Sequence, residues 1–278
     1  MAAGETGAAA EPGPVRATSR TPRLVAAENA ESLAEEASSL VMAWIASALG
    51  RRGSAHVVLA GGGTPRATHA LMAAAIREMG FPKDAIHWWF GDERWVAASD
   101  ERSNERMARE TLLGPAGVDE STIHSWGAGS GEPADCARSY GELMTAALGG
   151  QGLYVVMLGI GPDGHTASLF PGSTVVLPDG REAPMGPRFP AGCPAAAVRG
   201  GNAPGWRLTL SPGMLCSARH VIFLASGADK AEAVHRAANG DPATPAAWIR
   251  GATTTTFLVT RDAAGSADTG YGPPIVHA

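Results

Sequence analysis

Three short stretches of this chain hold the residue types that chemistry needs. The first is Gly61-Gly62-Gly63-Thr64-Pro65. Glycines let backbone N–H groups approach an anion with no Cβ in the way, and a helix opening behind them turns its positive end to the same place. Gly62, Gly63 and Thr64 thus suit a phosphate cradle, with a tight strand-to-helix turn as the plainer alternative. The stretch is not a Walker A loop, which ends in Gly-Lys-Ser/Thr. The second, Asp92-Glu93-Arg94, sets three charges directly after the apolar Trp88-Trp89-Phe90. The third runs from Gly159 to His165 and ends in an imidazole, which can take a proton from water at neutral pH. Asp163, two residues before it, orients that ring or a substrate hydroxyl, or else closes an Asx turn.

Gly159-Ile160-Gly161-Pro162-Asp163-Gly164 matches the dinucleotide fingerprint in letters only. Pro162 stands where the helix should begin, and Asp179 and Glu182 lie in a Pro/Gly-rich stretch rather than at a strand end, so no NAD is expected. Asp92, Glu93, Asp163 and His165 offer metal-binding atoms, but their spacing fits no closed zinc motif, and no metal is expected. Ser103-Asn104 reads as a helix N-cap pair. Asn104 and Asp92 are also candidate substrate contacts. Arg207 and Lys230 supply cations. Lys230 falls early in an expected helix, where the dipole disfavours a cation, and that tips the reading toward pairing with a bound phosphate.

Elements must bring these residues together. Leu33, Ala37, Leu40, Val41, Trp44, Ile45 and Ala48 share one face of a helix expected from Glu28 to Leu49, with Gly50 stopping it. Strands are expected at 56–60, 86–90, 153–160, 221–225 and 256–259. Helices are expected from Pro65 to about Met79, at 103–113, 133–148 and 229–238, and near 245–249. Near-continuous apolar strands alternating with helices predict an α/β fold, a parallel sheet with helices on both faces. Ligands bind such folds at the carboxyl ends of the strands, which is where all three stretches fall. Residues 171–206 are expected as a long loop, with a hairpin turn at Pro178-Asp179-Gly180. Residues 1–21 read as a disordered tail, 22–264 as a single domain, and 265–278 as a flexible tail.

The 278 residues are ample for one core, and 45% hydrophobic with 18% charged is a globular balance. A net charge of −5 argues against a nucleic-acid partner. No apolar run is long enough to span a membrane, and no secretory h-region opens the chain. Three scattered cysteines fit a reducing compartment. The expectation is a cytoplasmic protein, monomer or small homo-oligomer, with a small-molecule substrate.

The motifs, in this order, resemble the 6-phosphogluconolactonase family. They are Leu59 to Pro65, Asp92-Glu93-Arg94-Trp95-Val96 with Ser103-Asn104, Leu158 to Pro171, Arg207 to Leu210, and Gly227 to Ala231. The resemblance implies the parallel-sheet, Rossmann-like fold of the glucosamine-6-phosphate deaminase group. It implies hydrolysis of 6-phosphogluconolactone to 6-phosphogluconate, the second step of the oxidative pentose phosphate pathway, with neither metal nor organic cofactor. His165 is then the general base, Asp163 its partner and Arg94 the oxyanion stabiliser. Gly62, Gly63, Thr64 and Lys230 hold the phosphate, with Arg207 assisting. Deaminases continue after Asp-Gly-His with a Phe-Asn-Glu-Pro type sequence, where this chain has Ser168-Leu169-Phe170-Pro171. An amino-sugar-phosphate deaminase or isomerase, or a non-catalytic sugar-phosphate sensor, are the alternative readings.

Overall fold

The computed structural model describes residues 21–200 and 205–265. Apart from Thr21 and Gly265, the two expected tails lie outside the described residues. The chain opens as β1 (Arg23–Ala27), α1 (Ala30–Arg52), β2 (Ala55–Leu59), α2 (Gly63–Met79) and β3 (Ile86–Phe90). β4 (Asp92–Arg94) and α3 (Asn104–Ala108) follow, and α3 continues through a π turn at Arg109–Leu113 into α4 (Gly114–Ala116). Next come α5 (Pro133–Leu148), β5 (Val155–Gly159), β6 (Thr174–Val176), β7 (Glu182–Pro184), β8 (Ala195–Arg199) and β9 (Arg207–Leu210). The last elements are α6 (Pro212–Cys216), β10 (His220–Ala225), α7 (Ala231–Ala238), β11 (Thr254–Thr260) and α8 (Arg261–Ala264).

The expected parallel sheet is present, in the order β1-β11-β10-β5-β2-β3 with every pair parallel. Its central strands are buried, as in Val155-Val156-Met157-Leu158. β2 and β5 are neighbours, yet the chain leaves β2 for β3 on the other side, so strand order reverses between them. Their pairing stops at Val58↔Val156, while β5 continues to Gly159. A crevice therefore opens between the carboxyl ends of β2 and β5, the place where open α/β sheets bind ligands.

α1 buries Leu33, Ala37, Val41, Ile45 and Ala48, as its spacing predicts. It starts where Asn29 Oδ1 accepts from the N–H groups of Glu31 and Ser32, both at 2.9 Å. It ends at Gly53 (φ 74°), not at Gly50. One exposed glycine inside a helix costs about 1 kcal/mol. The last turn offsets this by placing Arg51 and Arg52 at the negative end of the dipole.

The described residues of 171–206 are not one long loop but supply β6, β7 and β8. With β4 and β9 these form a second, antiparallel sheet in the order β4-β9-β8-β6-β7. The expected hairpin turn is there, with Gly180 (φ 81°) donating to the Leu177 carbonyl at 2.8 Å. The chain crosses between sheets at Gly91. Its N–H donates to Leu59 O at 3.1 Å, and its carbonyl accepts from Leu210 N at 2.9 Å. One buried cluster contains residues of both sheets, among them Val156, Phe223, Ala197 and Leu208.

Candidate active site

The crevice is a cleft of about 210 Å³, walled by the loops after β2 and β5, by β4 and α3, and by Lys230. Gly62, Gly63, Thr64, Asp92, Arg94, Asn104 and His165 all line it. Gly62 caps α2 with φ 102°, a conformation that favours glycine. No side chain caps this helix, so its first N–H groups remain available to an anion. Lys230 is not inside a helix as expected. It closes a 3₁₀ turn, Ala228–Lys230, just before α7, and its Nζ donates to Ile160 O at 2.8 Å. An ammonium has three protons, so this bond aims the cation at the cleft and leaves donors free.

His165 is set by local geometry. Its backbone N–H and its ring Nδ1 both meet Asp163 Oδ1, at 3.1 and 2.5 Å. A carboxylate only accepts, so Nδ1 carries the proton and the lone pair of the neutral ring lies on Nε2. The ring packs at 4.3 Å from Phe170 and rests on Gly161, where a Cβ would meet Nδ1 at 2.0 Å. The glycines after β5 therefore make room for the imidazole, and turns rather than a helix follow them. Ala167 adopts φ 47°, rare for a residue with a side chain, and lines the cleft beside the histidine.

Asp92-Glu93-Arg94 divides its labour by strand alternation. Glu93 turns away from the cleft and is 2% exposed. It accepts from Arg94 N (2.7 Å), Asn104 N (2.8 Å), Glu105 N (2.8 Å) and Ser103 Oγ (2.9 Å). Burial pushes its carboxyl up from the usual range, and these donors pull it back. Glu93 is thus an anchor for the start of α3 rather than a ligand. Asp92 Oδ2 accepts from Ser168 Oγ at 2.7 Å, and its Oδ1 from Asn104 Nδ2 at 3.1 Å. Sequence reasoning missed Ser168 as a site residue; its place three residues after His165 was the available signal. Among the described residues, no group of three or more His, Cys, Asp and Glu side chains is arranged to hold a metal.

Arg94 lines the cleft and is held by a bond from its Nη1 to Arg102 O, while its buried Nε has no partner. Arg207 stands opposite it on β9 and is not among the cleft-lining residues. Its guanidinium lies 5.9 Å from the Phe170 ring, and its Nε is likewise buried and unpartnered. Burial and the charge of Arg94 lower its pKa. Arg207 thus stands beside Arg94 as its cross-strand partner and near Phe170, outside the residues that line the cleft.

The family model of glucosamine-6-phosphate isomerases/6-phosphogluconolactonase matches residues 28–258. The chain is similar to the 6-phosphogluconolactonase of Streptomyces coelicolor, 35% identical over 92% of this chain and 98% of that one. It is 34% identical to the 6-phosphogluconolactonase of Mycobacterium tuberculosis, over 79% of this chain and 88% of that one. In fold it is similar to the solved 6-phosphogluconolactonase of Trypanosoma cruzi, with a TM-score of 0.74, 24% identity, and coverage of 89% and 97%.

Proposed function

The chain belongs to the glucosamine-6-phosphate isomerase/6-phosphogluconolactonase family, and on that premise we propose that it hydrolyses 6-phospho-D-glucono-1,5-lactone to 6-phospho-D-gluconate. The observation that carries this reading is the Asp163–His165 pair facing a cleft lined by the glycine loop, Lys230 and Arg94. His165 Nε2 takes a proton from water as the water oxygen bonds to C1. Charge grows on the carbonyl oxygen, and Arg94 stabilises it. The bond from C1 to the ring oxygen then breaks, and the proton on His165 passes to that oxygen. A free hydroxyl and a carboxylic acid result, and the acid ionises in water. Asp163 keeps the ring in the productive tautomer throughout. The first N–H groups of α2, Thr64 and Lys230 hold the phosphate at the far end.

Residues 22–264 act as one catalytic domain, supported by the buried cluster that both sheets share. The reading includes a cytoplasmic monomer or small homo-oligomer, in keeping with three free cysteines. Among the described residues, no helix is long and apolar enough to cross a membrane.

The deciding experiment measures acid release from 6-phosphogluconolactone against its spontaneous hydrolysis. Release well above that background is expected, with no ammonia or fructose 6-phosphate formed from glucosamine 6-phosphate. Ser168-Leu169-Phe170-Pro171, standing where the deaminases carry a carboxylate-bearing segment, supports the lactonase reading over proton shuttling between C1 and C2. Steady catalytic ammonia release would reverse the choice.

A further inference from the structure

Asn104 is 3% exposed and lines the cleft. Its Nδ2 donates to the Asp92 carbonyl at 2.9 Å and to Asp92 Oδ1 at 3.1 Å. Both partners only accept, so the amide has one possible orientation and its NH₂ group is spent on Asp92. Oδ1 must then face the other way. It lies against Gly61, where a Cβ would fall 1.8 Å from it, and it is buried with no hydrogen-bond partner. A buried acceptor without a donor is costly, and at the wall of a ligand cleft a donor on the ligand is one group that would meet it. A phosphate dianion has no proton to give. The chemistry that satisfies a carboxamide oxygen is a hydroxyl, and the lactone carries these at C2, C3 and C4.

We infer that Asn104 Oδ1 accepts a hydrogen bond from one ring hydroxyl of the substrate and makes the enzyme selective for the hydroxylated lactone. The inference rests on the proposed lactonase activity. The cleft then has two chemical walls. The N–H groups behind the glycine loop, Lys230 and Arg94 donate to the phosphate and the oxyanion. Asp92 and Asn104 accept from the sugar. Glu93 fixes the second wall, because the same carboxylate holds the backbone N–H of Asn104.

The test compares kcat/KM for the parent lactone and its 2-, 3- and 4-deoxy analogues, in wild type, Asn104→Ala and Asn104→Ser. Wild type should prefer the parent over one analogue by roughly 10- to 100-fold, the range for one lost hydrogen bond in a dry site. In Asn104→Ala that single preference should fall to near unity, with the preferences over the other two analogues kept. Asn104→Ser, which leaves a smaller void and suits a first helical position, should do the same should the alanine variant misfold. A uniform drop on all four lactones would mean that Asn104 only supports the fold, and the inference would fail while the lactonase reading stood. Absence of discrimination in wild type would also overturn it. Failure of wild type to exceed spontaneous hydrolysis of the parent would overturn the lactonase reading and this inference together.

Discussion

At the scale of single residues, the proposed mechanism divides chemistry from binding between two side chains. In the proposed mechanism His165 takes the proton of the reacting water, so His165→Ala should lower kcat by roughly 10²- to 10⁴-fold with little change in KM. Its side chain is 30% exposed on a turn, so the melting temperature should hardly move. An unchanged kcat would remove His165 from the mechanism. The same proposal puts Lys230 on the phosphate at the other end. A charge-assisted hydrogen bond to phosphate contributes about 1.5–3 kcal/mol, so Lys230→Ala should reduce kcat/KM by roughly 10- to 150-fold, much of it in KM. Against gluconolactone, which has no phosphate, wild type and variant should be nearly equal and both poor. Equal impairment on the two substrates would assign Lys230 to the fold or to C1.

At the scale of elements, the site depends on how β4 hands the chain to α3. Arg94, Asn104 and Asp92 belong to that short passage, and the Glu93 carboxylate holds three backbone N–H groups and one hydroxyl within it. Glu93→Gln keeps the shape but turns an NH₂ group toward two of those donors. Each buried donor left unmet costs about 1–3 kcal/mol. Urea unfolding should therefore show a loss of about 2–4 kcal/mol. Activity should fall as well, since the positions of Arg94 and Asn104 both rest on this anchor. Wild-type stability in the variant would show that water replaces the carboxylate without penalty.

At the scale of the whole molecule, histidines set the response to acid. Burial lowers the pKa of His56, His69, His124 and His220 to about 4, assisted by nearby positive charge, and burial lowers His87 too. Trp89 Nε1 donates to His56 Nδ1 at 3.2 Å, which requires that nitrogen to be unprotonated. In the unfolded chain these groups titrate near the ordinary value of about 6.5. Between about 6.5 and about 4 the unfolded state therefore binds more protons, and stability falls as pH falls through that window. Glu36 and Glu93, raised by burial, pull the other way but are fewer. The urea midpoint, measured from pH 7.5 down to 4.5, should decline steadily below 6.5. A flat profile would contradict the burial of these imidazoles.

The parallel sheet and the His165–Asp163 pair were legible in the sequence because their signals are local. Apolar runs such as Val155 to Leu158 announce buried strands, glycines punctuate them, and two residues are a short enough reach for a carboxylate to meet the ring beside it. The second sheet was not legible. Its strands are three to five residues long, and β8 is largely alanine, so neither periodicity nor propensity marks them. They exist because neighbours from distant parts of the chain satisfy their backbone groups. α1 runs past Gly50 because the cost of one glycine is small and Arg51 and Arg52 at the negative end of the dipole offset it. Sequence named Asp92, Asn104 and Arg207 as candidates, but only tertiary structure set Ser168 on Asp92, put the Asn104 amide where Gly61 has no side chain, and paired Arg207 with Arg94 across the strands. Each of these contacts joins residues far apart in the chain, and the pairing of β4 with β9 and the parting of β2 from β5 decide which of them can meet.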